Sequence, residues 1–175
     1  KRERCSLGDQ RSELRGSLLR LEAELTRDAA VLASLAPEIA SNRDRLRAKE
    51  LDRSLLAVVA VDIHRYYTAL ESLFERIERL FGVMPSGPDW HRDLLDGVGL
   101  EISGVRPAIL TPAALDPLRN VLRFRHFFRH AYAVELDPPK LLHVAQDLLT
   151  AHPQVARELE GFKSFLTETA GALGT

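Results

Sequence analysis

Apolar residues recur along most of this chain at steps of three and four, the spacing of a helix that turns one face to a core. Between residues 14 and 39 the stripe reads Leu14, Leu18, Leu21, Leu25, Leu32, Leu35 and Ile39. Asp28 fills one core-type slot, and Arg and Glu take most of the remaining positions. That is a heptad seam. It predicts a long helix packed on the rest of the domain or on a copy of itself. Pro37 is expected to kink this helix or to open a new one capped by Ser34.

A second long helix is predicted over residues 49–81, burying Leu55, Val59, Ile63, Tyr66, Leu70, Leu73, Ile77 and Leu80. Gly82, Pro85, Gly87 and Pro88 then mark a loop, and Asp89 is a candidate N-cap for a short helix over residues 90–95. Irregular chain follows through Gly97, Gly99, Gly104 and Pro107. Thr111 before Pro112 signals a helix start, reaching about Tyr132. Pro138 and Pro139 separate it from a helix over residues 140–151, and Pro153 opens a last helix that fades at Gly171 and Gly174. Alternating β-branched runs are nearly missing, so the expected class is all-α, a helical bundle with a long N-terminal helix.

Composition narrows the picture without naming a chemistry. The 175 residues suit one domain: a disordered terminus at 1–10, then a single helical domain over 11–175. Within it, 11–47 reads as an N-terminal helical extension, 48–152 as the core and 153–175 as a C-terminal helix. Lys and Arg total 24 against 25 Asp and Glu, a net charge of -1, which argues against a broad polycationic nucleic-acid coat. A lone cysteine, Cys5, forms no internal disulfide and fits a reducing, cytoplasmic setting. The longest apolar run, 55–61, is too short to span a bilayer, so no membrane association is expected. The opening Lys-Arg-Glu-Arg has no signal-peptide core and no Met, so the natural start is expected upstream.

One window departs from the average. Residues 119–132, Arg-Asn-Val-Leu-Arg-Phe-Arg-His-Phe-Phe-Arg-His-Ala-Tyr, hold four arginines, two histidines and no acid. On a helix, Val121, Phe124, Phe127, Phe128 and Ala131 cluster as the expected buried face. Arg125, Arg129 and Tyr132 form a second stripe, and Arg119, Arg123, His126 and His130 a third. Arg125 and His130 stand about 140° apart, flanking one edge within reach of a single phosphate. The plain alternative is a solvated basic face over a phenylalanine core. A metal site on His126 and His130 is disfavoured: the glutamate of a His-Glu-x-x-His helix is missing, and the arginines repel a cation. Neither a Gly-x-Ser-x-Gly elbow nor a phosphate-cradling glycine loop occurs.

Arg125, four residues, His130, one residue, Tyr132 resembles the signature of HEPN ribonucleases in the form typical of HepT-type toxins. The flanks agree. Residues 63–77, Ile-His-Arg-Tyr-Tyr-Thr-Ala-Leu-Glu-Ser-Leu-Phe-Glu-Arg-Ile, look like that family's second long helix. Residues 85–95, Pro-Ser-Gly-Pro-Asp-Trp-His-Arg-Asp-Leu-Leu, resemble its Pro/Gly loop and Trp-His segment, and the run from Tyr132 to Asp137 is similar too. Arg119 to His126 and Arg123 to His130 satisfy a looser spacing, but a tyrosine follows His130 alone, which assigns the motif to Arg125 and His130. His126 stands where such toxins often carry asparagine.

The resemblance implies an all-α HEPN-like bundle and a toxin of a toxin–antitoxin pair. The implied activity is metal- and cofactor-independent cleavage of RNA, with tRNA the first substrate to test. The RNA's own 2′-hydroxyl would be the nucleophile. Histidine titrates near neutral pH, so His130 is the expected general acid or base. Arginine grips phosphate through a planar fork, so Arg125 is the expected phosphate anchor, with Arg129, Arg123 and His126 contacting the substrate. The family pairs two motifs across a homodimer, which would pool the basic helices of a neutral chain. Its partner is a minimal nucleotidyltransferase antitoxin that silences the toxin by transferring AMP to the motif tyrosine, here Tyr132. The competing expectation is a catalytically inactive HEPN module that binds such a nucleotidyltransferase. Trp90 and His91 are expected to anchor their loop by packing, and His64, Tyr66 and Tyr67 to pack between helices. His143 and His152 carry no functional signal.

Overall fold

The structure, a computed structural model, describes residues 7–48, 52–130 and 136–174. Among them are five helices: α1 Leu7–Ala48, α2 Arg53–Leu80, α3 Trp90–Gly97, α4 Pro112–His130 and α5 Pro138–Leu173. Extended pairing is limited to one isolated bridge, Ile102 to Arg106, around the turn at Gly104. None of these helices is long and apolar enough to cross a membrane. Cys5 lies outside the described residues.

Helix α2 is the hub. It packs against α1, α3, α4 and α5, and α1 and α5 share the broadest contact of the bundle. Hence α2 is apolar on more than one side: Val59, Ala60, Ile63, Tyr66, Leu70, Leu73 and Ile77 are all fully buried. Six members of the α1 seam, Leu18, Leu21, Leu25, Leu32, Leu35 and Ile39, are buried as the heptad pattern predicts, whereas Leu14 is 46% exposed. Asp28 does sit in the core-facing slot, buried, and Arg76 of α2 reaches over to pair with it. Asn42 of α1 likewise donates to buried Asp62 of α2 at 3.0 Å.

Three boundaries differ from expectation. Helix α1 begins at Leu7, so residues 7–10 are helical rather than a disordered terminus. It also runs unbroken through Pro37, so no new helix opens there, and α5 runs through Pro153, where a new helix was expected. A proline removes one N–H from the helix ladder. Burial of Leu35, Ala36 and Ile39 around the first, and of Ala151 and Val155 around the second, holds both helices continuous. The start of α5 at Pro138 follows a capping signal, since the Asp137 carboxylate accepts from the Lys140 N–H. Asp89, by contrast, makes no side-chain cap; its backbone carbonyl accepts from Arg92 and Asp93. Thr111 does not cap α4 through its hydroxyl, which donates to Glu158 of α5 at 2.6 Å.

The chain between α3 and α4 is organised by one arginine. Arg106 is buried and donates to the carbonyls of Leu100 (2.8 Å), Pro107 (3.0 Å) and Gly97 (3.1 Å). It also pairs with the buried carboxylate of Glu78 on α2. Irregular chain leaves carbonyls outside any regular ladder, and this guanidinium supplies donors to those of Leu100 and Pro107.

Candidate active site

Arg125 lies inside the bundle, only 5% exposed. This corrects the expected faces of α4. The buried line runs Ala114, Leu118, Val121, Leu122 and Arg125, while Phe127 is 44% exposed and Phe124 and Phe128 are half-buried. Steps of four, three and four carry the apolar stripe straight onto an arginine. Ala131 and Tyr132 lie outside the described residues.

A charge is tolerated there because α2 supplies its counterion. Glu71, itself buried, accepts from Arg125 Nη2 at 2.5 Å through Oε2. Its other oxygen, Oε1, meets His91 Nδ1 at 2.6 Å. One carboxylate thus joins α2, α3 and α4. The Tyr67 ring lies beneath the guanidinium, 6.0 Å from centroid to Cζ. Burial, then the Glu71 carboxylate, push the Tyr67 hydroxyl far above its ordinary range, so it stays protonated. Arg125 Nε and Nη1 are buried without a hydrogen-bond partner among the described residues.

His91 reaches this position through the preceding loop. Gly87 adopts φ 101°, open to glycine at little cost, and its carbonyl accepts from the Trp90 N–H at the start of α3. The Trp90 ring lies against the His91 imidazole with centroids 3.6 Å apart and planes inclined by 31°. His126 of α4 meets the same imidazole edge-on at 5.2 Å. His64 of α2 packs on Phe128 of α4, with ring centroids 5.6 Å apart. Burial first, then the positive charges of Arg125 and Arg129, hold the His64 imidazole below its ordinary value.

The sequence-predicted site residues therefore divide. Arg125 and His126 converge on the Glu71–His91 pair. Arg129 is exposed, close enough to His64 to act on its charge. Arg123 points elsewhere: it is exposed, donates to Asn120, and lines a groove of ≈ 700 Å³ between α4 and α5 with Phe124, Phe127, Leu141 and Val144. It does not join Arg125. His130 is the last residue of α4. The run without acids is also less bare than it reads, because Arg119 is paired to Asp96 at 2.9 Å and to Asp116 at 2.5 Å.

Sequence reasoning missed Glu71 and set His91 aside as packing. Glu71 left one trace: an acid set between Leu70 and Leu73 of the predicted apolar stripe. His91 left none beyond its Trp-His neighbourhood.

A family described as HepT-like protein matches residues 58–166, a stretch that includes Glu71, His91, Arg125 and His130. No curated protein and no solved structure matches the chain.

Proposed function

Because this chain belongs to the HepT-like protein family, we propose that it is the ribonuclease toxin of a toxin–antitoxin pair. Support comes from Arg125. Its guanidinium is held by one nitrogen on Glu71, while Nε and Nη1 are buried without a hydrogen-bond partner among the described residues. Each unsatisfied buried donor costs about 1–3 kcal/mol, and an anionic phosphate oxygen supplies an acceptor for one. Glu71 fixes the orientation beforehand, so little is lost when an anion arrives.

In this reading the RNA 2′-oxygen attacks the adjacent phosphorus as the bond to the 5′-oxygen breaks. The products are a 2′,3′-cyclic phosphate and a 5′-hydroxyl. Arg125 holds the phosphate, and His130 exchanges a proton with the reacting oxygens. Arg129 and His126 seat the strand nearby, and Arg123 contacts it on the α4–α5 side. Two chains pair as a homodimer, pooling their basic residues. A nucleotidyltransferase antitoxin silences the toxin by adenylylating Tyr132, which lies outside the described residues.

The direct test is cleavage of a tRNA pool by the purified protein in EDTA. Because Arg125 is buried against a carboxylate, Arg125→Lys is the better probe than alanine: it keeps the charge and loses the fork. That variant and His130→Gln should each abolish cutting and growth inhibition. Undiminished toxicity in both sinks the nuclease. Intact mass after co-expression with a nucleotidyltransferase should rise by one adenylyl group, and Tyr132→Phe should abolish the rise.

The same arginine also favours a second reading, a helical module that binds the nucleotidyltransferase without catalysis. A guanidinium whose charge is matched inside the core serves the bundle's structure as well. That module predicts tight partner binding and no RNA cleavage.

A further inference from the structure

We propose that His91 is a second proton-transfer residue of this nuclease, the base that takes the 2′-hydroxyl proton. The proposal rests on the nuclease reading and deepens it. Its ground is the way the imidazole is built in. Packing alone needs an apolar ring at the end of a loop, but His91 is held on three sides. Glu71 Oε1 fixes Nδ1 at 2.6 Å, Trp90 covers one ring face, and His126 stands at the edge. The side chain is 12% exposed, against 5% for Glu71.

The hydrogen bond selects the tautomer. Glu71 also receives the Arg125 guanidinium, so it acts as a carboxylate acceptor and Nδ1 must carry the hydrogen. In a neutral imidazole that leaves Nε2 as the basic nitrogen. Carboxylate, Nδ1–H and basic Nε2 form the arrangement by which an acid orients a histidine for base catalysis. Because Arg125 and His91 share one carboxylate, the phosphate anchor and the base stand side by side.

The step balances without a further reactant. His91 Nε2 accepts the proton as the 2′-oxygen bonds to phosphorus, and the 5′-oxygen leaves with its electron pair and takes a proton from His130. The cleavage that yields the cyclic phosphate thus uses one base and one acid. Among the described residues, Glu71 of α2 and His126 of α4 contact His91, and Glu71 also binds Arg125 of α4, beside Tyr67 of α2. Asp96 of α3 acts on Tyr67, and Arg125 and Arg129 act on His64.

The test is the pH profile of single-turnover RNA cleavage by the full chain in EDTA, for wild type, His91→Gln and His130→Gln. His91→Gln should slow cleavage by about 10²-fold or more and remove the acidic limb of the profile. Binding of an RNA with a 2′-O-methyl group at the cleaved position should hold within about threefold, the margin expected for a base that adds little to ground-state affinity. A substrate with a bridging 5′-sulfur leaves without an acid, so it should rescue His130→Gln and not His91→Gln. A wild type that cuts, with a His91→Gln variant keeping the acidic limb, overturns the role of His91 alone. A wild type that cuts no RNA overturns the nuclease reading and this role with it. If His91→Gln does not fold, side-chain nitrogen NMR of the wild type decides. Hydrogen on Nδ1 supports the proposal, and hydrogen on Nε2 at neutral pH overturns it.

Discussion

Glu71 and Arg125 stand 2.5 Å apart across 54 residues of sequence, with side chains 5% and 6% exposed. Helices α2 and α4 bring them together, and Glu71 is the carboxylate paired with the Arg125 guanidinium in that part of the core. Removing one partner of such a pair leaves a buried charge and costs about 3–5 kcal/mol, whereas replacing both by apolar groups of similar volume is often close to neutral. We therefore expect Glu71→Leu and Arg125→Met each to lower stability by about 3–5 kcal/mol and the double variant to recover most of the loss. Urea denaturation of the four proteins checks this, and additive losses would refute the coupling.

A different outcome is expected for the α4 phenylalanines. Phe127 is 44% exposed and Leu118 is fully buried. Phe127→Ser should shift stability by no more than about 0.5 kcal/mol, in the range of surface substitutions. Leu118→Ala should cost about 2–5 kcal/mol. Thermal unfolding compares them, and a large loss at Phe127 would return it to the core.

Acid should weaken the fold through half-buried histidines. Burial holds His152 below its ordinary 6.5, with Tyr66 Oη 2.9 Å from its Nδ1. Below pH 6.5 the unfolded chain takes up a proton that the folded chain refuses, so stability falls as the pH drops from 6.5 toward the folded value. The stabilisation is complete above 6.5. His64 acts in the same direction. Melting temperature measured from pH 7.5 to 5.5 should fall for the wild type and fall less for His152→Gln. Equal slopes would refute the assignment.

Arg106 should be as costly to lose as Arg125. Arg106→Met removes the partner of Glu78 and the guanidinium donors to the Leu100 and Pro107 carbonyls together. We expect a loss of about 3–5 kcal/mol. Amide exchange should rise first in residues 97–111, and uniform loosening of the whole chain would contradict that local role.

The helices themselves were legible because their periodicity is local. Asp28 was legible too, since leucines on both sides of it define the slot it occupies. Arg125 was not. Phe124, Phe127 and Phe128 offered a rival face, and hydrophobic pattern assigns every arginine to water. Only Glu71, far away in sequence, makes the inward orientation affordable. His91 was hidden for the same reason, because its role depends on that same carboxylate. The prolines misled in the opposite sense: local chemistry allowed a new helix to open at Pro37 and predicted one at Pro153, and packing along α1 and α5 keeps both helices continuous.

Glu71 and Glu78 lie seven residues apart on α2, nearly two full turns, and each receives an arginine from another part of the chain. Turning α2 by one residue, about 100°, would carry both acids away from their arginines at once. Oily side chains tolerate such slippage; paired ions do not. The central helix is thus keyed like a shaft in its hub, and a lineage free to exchange leucines along it is bound to change these four residues only in matched pairs.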